Sequence, residues 1–305
     1  PSDLADKMAT LLASSQPGPD TQAEARARGL AIQESRLNAR AFCALVLSHL
    51  GQKSVPPTLQ SPASPPVITV VTSLSRGNIP NQQVAVQSWQ KLGFKVIAVN
   101  NSHDIDALRS SFPGVDFIVA HRDATSRYGK PCIFFSDLLD SCARQSTPIC
   151  GIVKSDIVFT DAGLPAFLAK EASKALVFGS RYDVESIGCP AGALRSGGFD
   201  YLFFDRSVTA CFPRESFCFG LPWWDYWATL LPIAHGIPAK WLVSPVAQHV
   251  RHAVDSNHNA WTKLGILLSR YAETDFAVTT DNLAEYQQLL FRTIRDNSTP
   301  LHYEP

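Results

Sequence analysis

Neither sign of charge is in excess, and long apolar runs are missing. Across 305 residues, 27 basic and 27 acidic side chains cancel, so no global field recruits nucleic acid or an anionic membrane. No apolar stretch reaches the about 18–20 residues that a membrane span needs. No CxxC pair and no Cys/His zinc spacing occurs. The seven cysteines (Cys43, Cys132, Cys142, Cys150, Cys189, Cys211 and Cys218) lie mostly in apolar runs and read as reduced core thiols of a reducing compartment. A Gly-rich phosphate loop is also missing: Ser75-Arg76-Gly77-Asn78, after the first apolar run, is neither GxGxxG nor a P-loop. That disfavours a dinucleotide site or a Walker-type ATPase. No signal-peptide pattern opens the chain, and Pro1 reads as the start of a trimmed chain or excised domain. A cytoplasmic enzyme is expected, with peripheral membrane docking as the alternative.

What is present is enough apolar material, 45% of residues, for a sizeable core. Residues 1–66 differ in kind from the rest. A short helix is expected over Ser2–Ala13, followed by the breaker Gln16-Pro17-Gly18-Pro19. Thr21 and Glu24 then have capping-box spacing, and an Ala/Leu/Arg-rich stretch runs to a C-cap at Gly51. Val55-Pro56-Pro57 and Ser61–Pro66 read as a stiff linker. The expected division is a helical N-terminal segment at 1–66, serving as spacer, tether or oligomerisation element, and a catalytic domain at 67–305.

From Val67 the pattern becomes alternating strand and helix. Val67–Ser73 is a β-branched run suited to burial on both faces. Helices are expected at Asn81–Leu92, Cys132–Arg144 and Asn282–Arg295; strands at Lys95–Asn100, Asp116–Ala120, Ile149–Val153 and Ala175–Phe178. This predicts an α/β fold with a mostly parallel sheet flanked by helices. Ligands of such sheets sit beyond the carboxyl ends of the strands. Those ends carry Thr72-Ser73, Asn100-Asn101, Ser155-Asp156 and Arg181. Thr72, Ser73, Asn100 and Asn101 are candidates to hold a nucleotide. Arg122 and Lys130, on the segment before the Cys132 helix, are candidates to meet phosphate. Each is equally readable as a solvated loop residue.

Three segments carry the remaining chemistry. In Lys154-Ser155-Asp156-Ile157, directly after an apolar strand, a lone carboxylate can hold a divalent cation that neutralises a diphosphate; it can also be a turn residue. Asp225 follows Trp223-Trp224, and desolvation by the indoles would raise its pKa; it can also cap a helix at Tyr226–Leu231. His249 and His252 are spaced i, i+3, one face of a helix if the segment is helical, close to Asp255 and His258.

Four stretches, in order, resemble glycosyltransferases of the GT-A type. The Lys154–Ile157 stretch resembles their DxD region in its Asn-Ser-Asp-Ile variant, with Asp156 at the metal-binding position and Lys154 departing from the usual polar or acidic residue. Val177–Asp183 resembles the strand and Arg-x-Asp that follow. Phe199–Phe204 resembles an FDYFxF stretch, and Phe219–Trp227 an IGRxxWDNW segment. His249 and His252 match an HxxHD-like stretch of the same group. The resemblance covers about residues 67–260. It implies a GT-A fold and transfer of a sugar from a nucleoside-diphosphate sugar to a glycan or other hydroxyl acceptor. It further implies Asp225 as the base of an inverting mechanism, and Mn²⁺ or Mg²⁺ at Asp156, His249 and His252. Lys154, Ser155 and Arg181 would lie along the diphosphate. A sugar nucleotidyltransferase and a non-catalytic carbohydrate-binding module of the same fold are the alternatives.

Overall fold

The computed structural model describes residues 68–189, 192–194, 197–252, 258–272, 278–279 and 281–304. The expected N-terminal helical segment and Asp255 lie outside these. In chain order the strands are β1 (Thr69–Thr72), β2 (Lys95–Asn100), β3 (Asp116–Val119), β4 (Ile149–Val153), β5 (Val158–Phe159), β6 (Leu176–Gly179), β7 (Tyr182–Val184), β8 (Ala193–Leu194), β9 (Tyr201–Asp205), β10 (Ala239–Leu242), β11 (Ala247–Val250) and β12 (Thr299–Leu301). The helices are α1 (Ile79–Lys91), α2 (Ser102–Leu108), α3 (Thr125–Tyr128), α4 (Phe135–Ala143), α5 (Leu164–Glu171), α6 (Trp224–Ala234), α7 (His258–Ala272) and α8 (Leu283–Asp296). None of the described helices is long and apolar enough to cross a membrane.

The main sheet has the order β12-β10-β6-β9-β4-β1-β2-β3. Every neighbouring pair is parallel except those of β9, which runs antiparallel to both β4 and β6. The expected mostly parallel, helix-flanked α/β sheet is therefore present, with one reversed strand that periodicity did not announce. The central strands β1, β4, β6 and β9 are buried on both sides. Along β9, Tyr201 and Phe203 enter the apolar layer shared with α1 and α5, while Leu202 and Phe204 enter the layer shared with α4, α6 and α8. Two glycines make room for the reversed strand. A Cβ on Gly151 would meet the Phe203 ring at 2.5 Å, and one on Gly179 would meet the Tyr201 hydroxyl at 2.0 Å. Each glycine is the cross-strand partner of the ring that occupies its space.

A second, four-stranded sheet has the order β5-β11-β7-β8. It gathers short strands that follow β4, β6 and β10 in the chain, and so it brings together segments leaving the carboxyl end of the main sheet. Six described cysteines are free thiols, three of them buried, in keeping with their place in apolar runs.

Two local expectations are corrected. The helix expected from Cys132 begins at Phe135, because residues 132–134 are extended: Phe134 bridges Cys218, and Ala124 N–H donates to the Cys132 carbonyl at 2.8 Å. The segment of His249 is strand β11 and the chain around it, not a helix.

Candidate functional site

The site lies where β4, β6 and β11 end and β9 begins. After β4 the chain makes a tight turn, Ile157 N–H donating to the Lys154 carbonyl at 3.1 Å, which presents Asp156 outward from the sheet. β5 then pairs with β11, and β11 pairs with β7 in a register that sets His249 beside Asp183. His249 Nε2 and His252 Nε2 stand 3.3 and 3.2 Å from Asp156 Oδ2. Among the described residues, Asp156, His249 and His252 place three ligand atoms within 4.8 Å of one another. The two imidazoles that sequence spacing placed on a helix face converge from a strand and the residues beyond its end.

The donor set suits a divalent cation. Asp183 Oδ1 lies 2.8 Å from His249 Nδ1; a carboxylate there favours the tautomer with the proton on Nδ1 and the lone pair on Nε2. That Nε2 is buried and has no hydrogen-bond partner, its contact with Asp156 being off-line, and Asp156 Oδ1 is buried and unpartnered as well. Two buried polar atoms left without partners in one cluster are costly unless something fills the gap. Burial raises the Asp156 carboxyl, but His249, Lys154 and His252 outweigh it and hold the group well below the usual carboxylate range. It is ionised at every ordinary pH.

Two cavities adjoin here and share Lys130, Lys154 and Gly220 as walls. The larger, about 900 Å³, is lined by Ser73, Asn101, Ser155, Asp156 and His252 together with Arg76, Asp104 and Asp123. Its polar wall is cross-tied: Asn101 Nδ2 reaches Asp104 at 3.0 Å and Asp123 at 3.2 Å, and Arg76 Nε donates to Asp104 at 2.6 Å. The smaller, about 410 Å³, is lined by Arg181, Asp200, Asp225, Trp224, Trp261 and Gln287 among others. Both volumes fall in the range of small-molecule sites.

Asp225 occupies the first turn of α6. It does not cap that helix; the cap position is Trp223, which adopts a left-handed φ of 76°. Such a φ is strained for a bulky side chain. Instead Asp225 Oδ2 accepts the N–H of Phe199, from the segment entering β9, at 2.8 Å. Burial pushes the Asp225 carboxyl up to about 6; the Phe199 N–H pulls the other way, and the Asp200 charge adds to the rise. Trp223 and Trp224 form part of this cavity's wall, yet they are only 1% and 4% exposed. They line the cavity beside Asp225 as buried core residues rather than as an open platform.

Other candidates are placed differently. Thr72 is fully buried, its hydroxyl donating to the Val153 carbonyl at 2.7 Å to tie β1 to β4. Asn100, also buried, pairs its amide with both backbone groups of Leu74 at 2.6 and 3.1 Å, which shapes the turn after β1. Arg122 lies over the Phe134 ring and donates to Ser136, outside both cavities. Arg181 lines the smaller cavity but is committed to carboxylates: Nη1 donates to Asp200 at 3.0 Å and Nε to Asp183 at 2.9 Å. Lys154 Nζ is 3.2 Å from the same Asp200 oxygen. Burial disfavours the Arg181 cation, but Asp200, Asp183 and Asp156 more than restore it. Sequence reading gave no role to Asp183, Asp200, Asp104 or Asp123. For the first two, the signal was their place beside strand ends at the same edge of the sheet and within the Arg-x-Asp-like and FDYFxF-like stretches.

No protein-family model matches the chain, and no curated protein does. Solved structures do align with it. A mannosyltransferase of Pyrobaculum calidifontis, PcManGT, solved with GDP-Man and Mn²⁺, covers 90% of this chain and 85% of its own, at 13% identity and a TM-score of 0.44. TarS 1–349 of S. aureus, solved with UDP-GlcNAc, covers 75% of this chain and 73% of its own, at 9% identity and a TM-score of 0.42. HddC of Yersinia pseudotuberculosis covers 52% of this chain and 85% of its own, at 12% identity and a TM-score of 0.33. At these scores the functional reading rests on the chain's own side chains.

Proposed function

We propose that this chain is a glycosyltransferase of the GT-A type that moves a sugar from a nucleoside-diphosphate sugar to the hydroxyl of a glycan or other acceptor, with inversion. The observation that carries this reading is the pairing of two adjoining cavities. One holds a buried carboxylate pushed up to about 6, Asp225; the other is lined by Asp156 and His252, behind which His249 completes the three-residue cluster. A transfer needs both parts at once, a proton acceptor for the incoming hydroxyl and a counter-charge for the departing diphosphate.

In this reading the nucleotide occupies the larger cavity, along Ser73 and Asn101, with its diphosphate towards Ser155 and Asp156. The sugar sits at the shared wall of Lys130, Lys154 and Gly220. The acceptor enters the smaller cavity, and Asp225 takes its hydroxyl proton. The acceptor oxygen bonds to the anomeric carbon as the bond from that carbon to the phosphate oxygen breaks, and the nucleoside diphosphate leaves with the electron pair. Lys130 and Lys154 lower the energy of the charge that develops there. A divalent cation such as Mn²⁺ or Mg²⁺, held by Asp156, His249 and His252, would add positive charge against the diphosphate.

The turn after β1 bears against a nucleotidyltransferase, since Ser75-Arg76-Gly77-Asn78 offers no Gly-rich cradle. The deciding experiment measures UDP or GDP release over a small donor panel, with and without Mn²⁺, and the anomeric configuration of the product. Release coupled to an inverted glycoside supports the proposal. Pyrophosphate chemistry, or donor binding with no turnover under any condition, overturns it in favour of one of the two alternatives.

A further inference from the structure

Arg181 stands between the two cavities' machinery. Its side chain is 5% exposed, and its Nε and Nη1 both donate to carboxylates. Nε goes to Asp183 Oδ1, the oxygen that also contacts His249 Nδ1. Nη1 goes to Asp200 Oδ1, and the Arg181 backbone N–H goes to Asp200 Oδ2 at 3.2 Å. A guanidinium is planar, so fixing one edge fixes the direction of the other. Asp183 orients one member of the cation cluster. Asp200 lines the cavity of Asp225 and precedes Tyr201 at the start of β9.

We propose that Arg181 is a positioning residue that couples the cation cluster to the Asp225 cavity through Asp183 on one side and Asp200 on the other. This rests on the cluster being a cation site, as in the proposed function. A cation that pulls the His249 ring into place also sets Asp183, and through Arg181 sets Asp200. By reciprocity, a disturbance at Asp200 is felt as weaker cation binding, although Asp200 does not touch the cluster.

The test is a double-mutant cycle read as Mn²⁺ affinity, by calorimetry or by the Mn²⁺ electron paramagnetic resonance signal, with no donor or acceptor present. Asp183→Asn weakens Mn²⁺ binding by about 10-fold or more, the usual effect of removing the partner of a ligating histidine. Asp200→Asn alone weakens it by about 3-fold. In the double variant the Asp200 change adds nothing further, because the bridge is already cut. Arg181→Lys, which keeps the charge and the Asp183–His249 contact but loses the fork, behaves like Asp200→Asn; melting curves on all four variants verify folding, and the asparagine variants carry the test if the lysine variant does not fold. Additive effects, as plain long-range charge would give, overturn the coupling while leaving the cation site standing. An unchanged affinity in Asp200→Asn does the same. A wild-type chain that binds no Mn²⁺ removes the cation site itself, and the coupling with it.

Discussion

The backbone N–H of Phe199 donates to Asp225 Oδ2 at 2.8 Å, and this bond fixes the direction of a buried carboxylate that lines the smaller cavity. It ties the first turn of α6 to the segment that enters β9, 26 residues away in sequence. A carboxylate so held is oriented before any substrate arrives. Asp225→Asn keeps the shape and the acceptor of that bond but cannot take a proton. Transfer is expected to fall by roughly 10²–10⁴, the usual contribution of a general base, while nucleotide affinity changes by less than about 2-fold. Turnover within a few-fold of wild type would remove Asp225 as the base.

The same residue sets a pH profile. A base raised to about 6 must be ionised to work, so kcat/KM is expected to fall as pH drops through about 6, with a limb absent from any residual activity of the asparagine variant. The stability sign is opposite. The folded pKa lies above the unfolded value of 3.8, so the native state binds the proton more tightly. That stabilisation is full below about pH 4 and is lost as pH rises through about 6. Asp225→Asn is therefore expected to be more stable than wild type at pH 8, by at most about 2–3 kcal/mol. Near pH 4 the two should be similar. Melting curves at the two pH values check this; a variant less stable than wild type at pH 8 would contradict the burial argument.

Gly198 offers a way to displace the base without altering it. Its φ is 109°, and a Cβ there would stand 2.7 Å from Asp225 Oδ2. Gly198→Ala is expected to lower kcat by at least about 10-fold, as misplacement of a reacting group does, with nucleotide affinity retained. Normal kcat in the alanine variant would show that the cavity tolerates a moved carboxylate.

Asp156→Ala is expected to weaken donor turnover at least about 10-fold, or about 1.4 kcal/mol. His249→Ala should cost more than His252→Ala, because His249 is 3% exposed and tied to Asp183, whereas His252 is 31% exposed. Titrating Mn²⁺ against each variant separates a ligand, whose loss raises the Mn²⁺ requirement, from a bystander, whose loss does not.

A truncated chain beginning at Pro65 is expected to bind nucleotide as the full chain does, since every cavity residue named here follows Ile68. Binding lost in a truncated chain that folds would assign residues 1–64 a part in the site.

Sequence periodicity gave β2 and β4 to the residue, because both are apolar runs buried on both faces and bounded by polar ends. It could not give β9 its direction, since an apolar strand reads alike in either sense. The approach of Asp156 to His249 and His252 was legible only through a family likeness, because it depends on the pairing of β5 with β11 across almost 90 residues. Thr72 and Asn100 show the converse. Polar residues at strand ends look alike in sequence whether they face a ligand or close a backbone gap, and only the positions of Val153 and Leu74 tell them apart. Asp183 and Asp200 were passed over for a related reason: their chemistry lies in sharing one arginine.

The reversed strand has a consequence for how the protein comes into being. β9 fills the gap between β4 and β6, so Lys154, Arg181 and Asp200 become neighbours only after the centre of the sheet has closed. A chain on the ribosome that has made residues up to 184 has two cationic partners and no Asp200 to balance them. Pairings of this kind are non-local and belong to the slow part of folding. The charged cluster is therefore a late assembly product, and ligands that need it whole will favour the finished molecule over every earlier form.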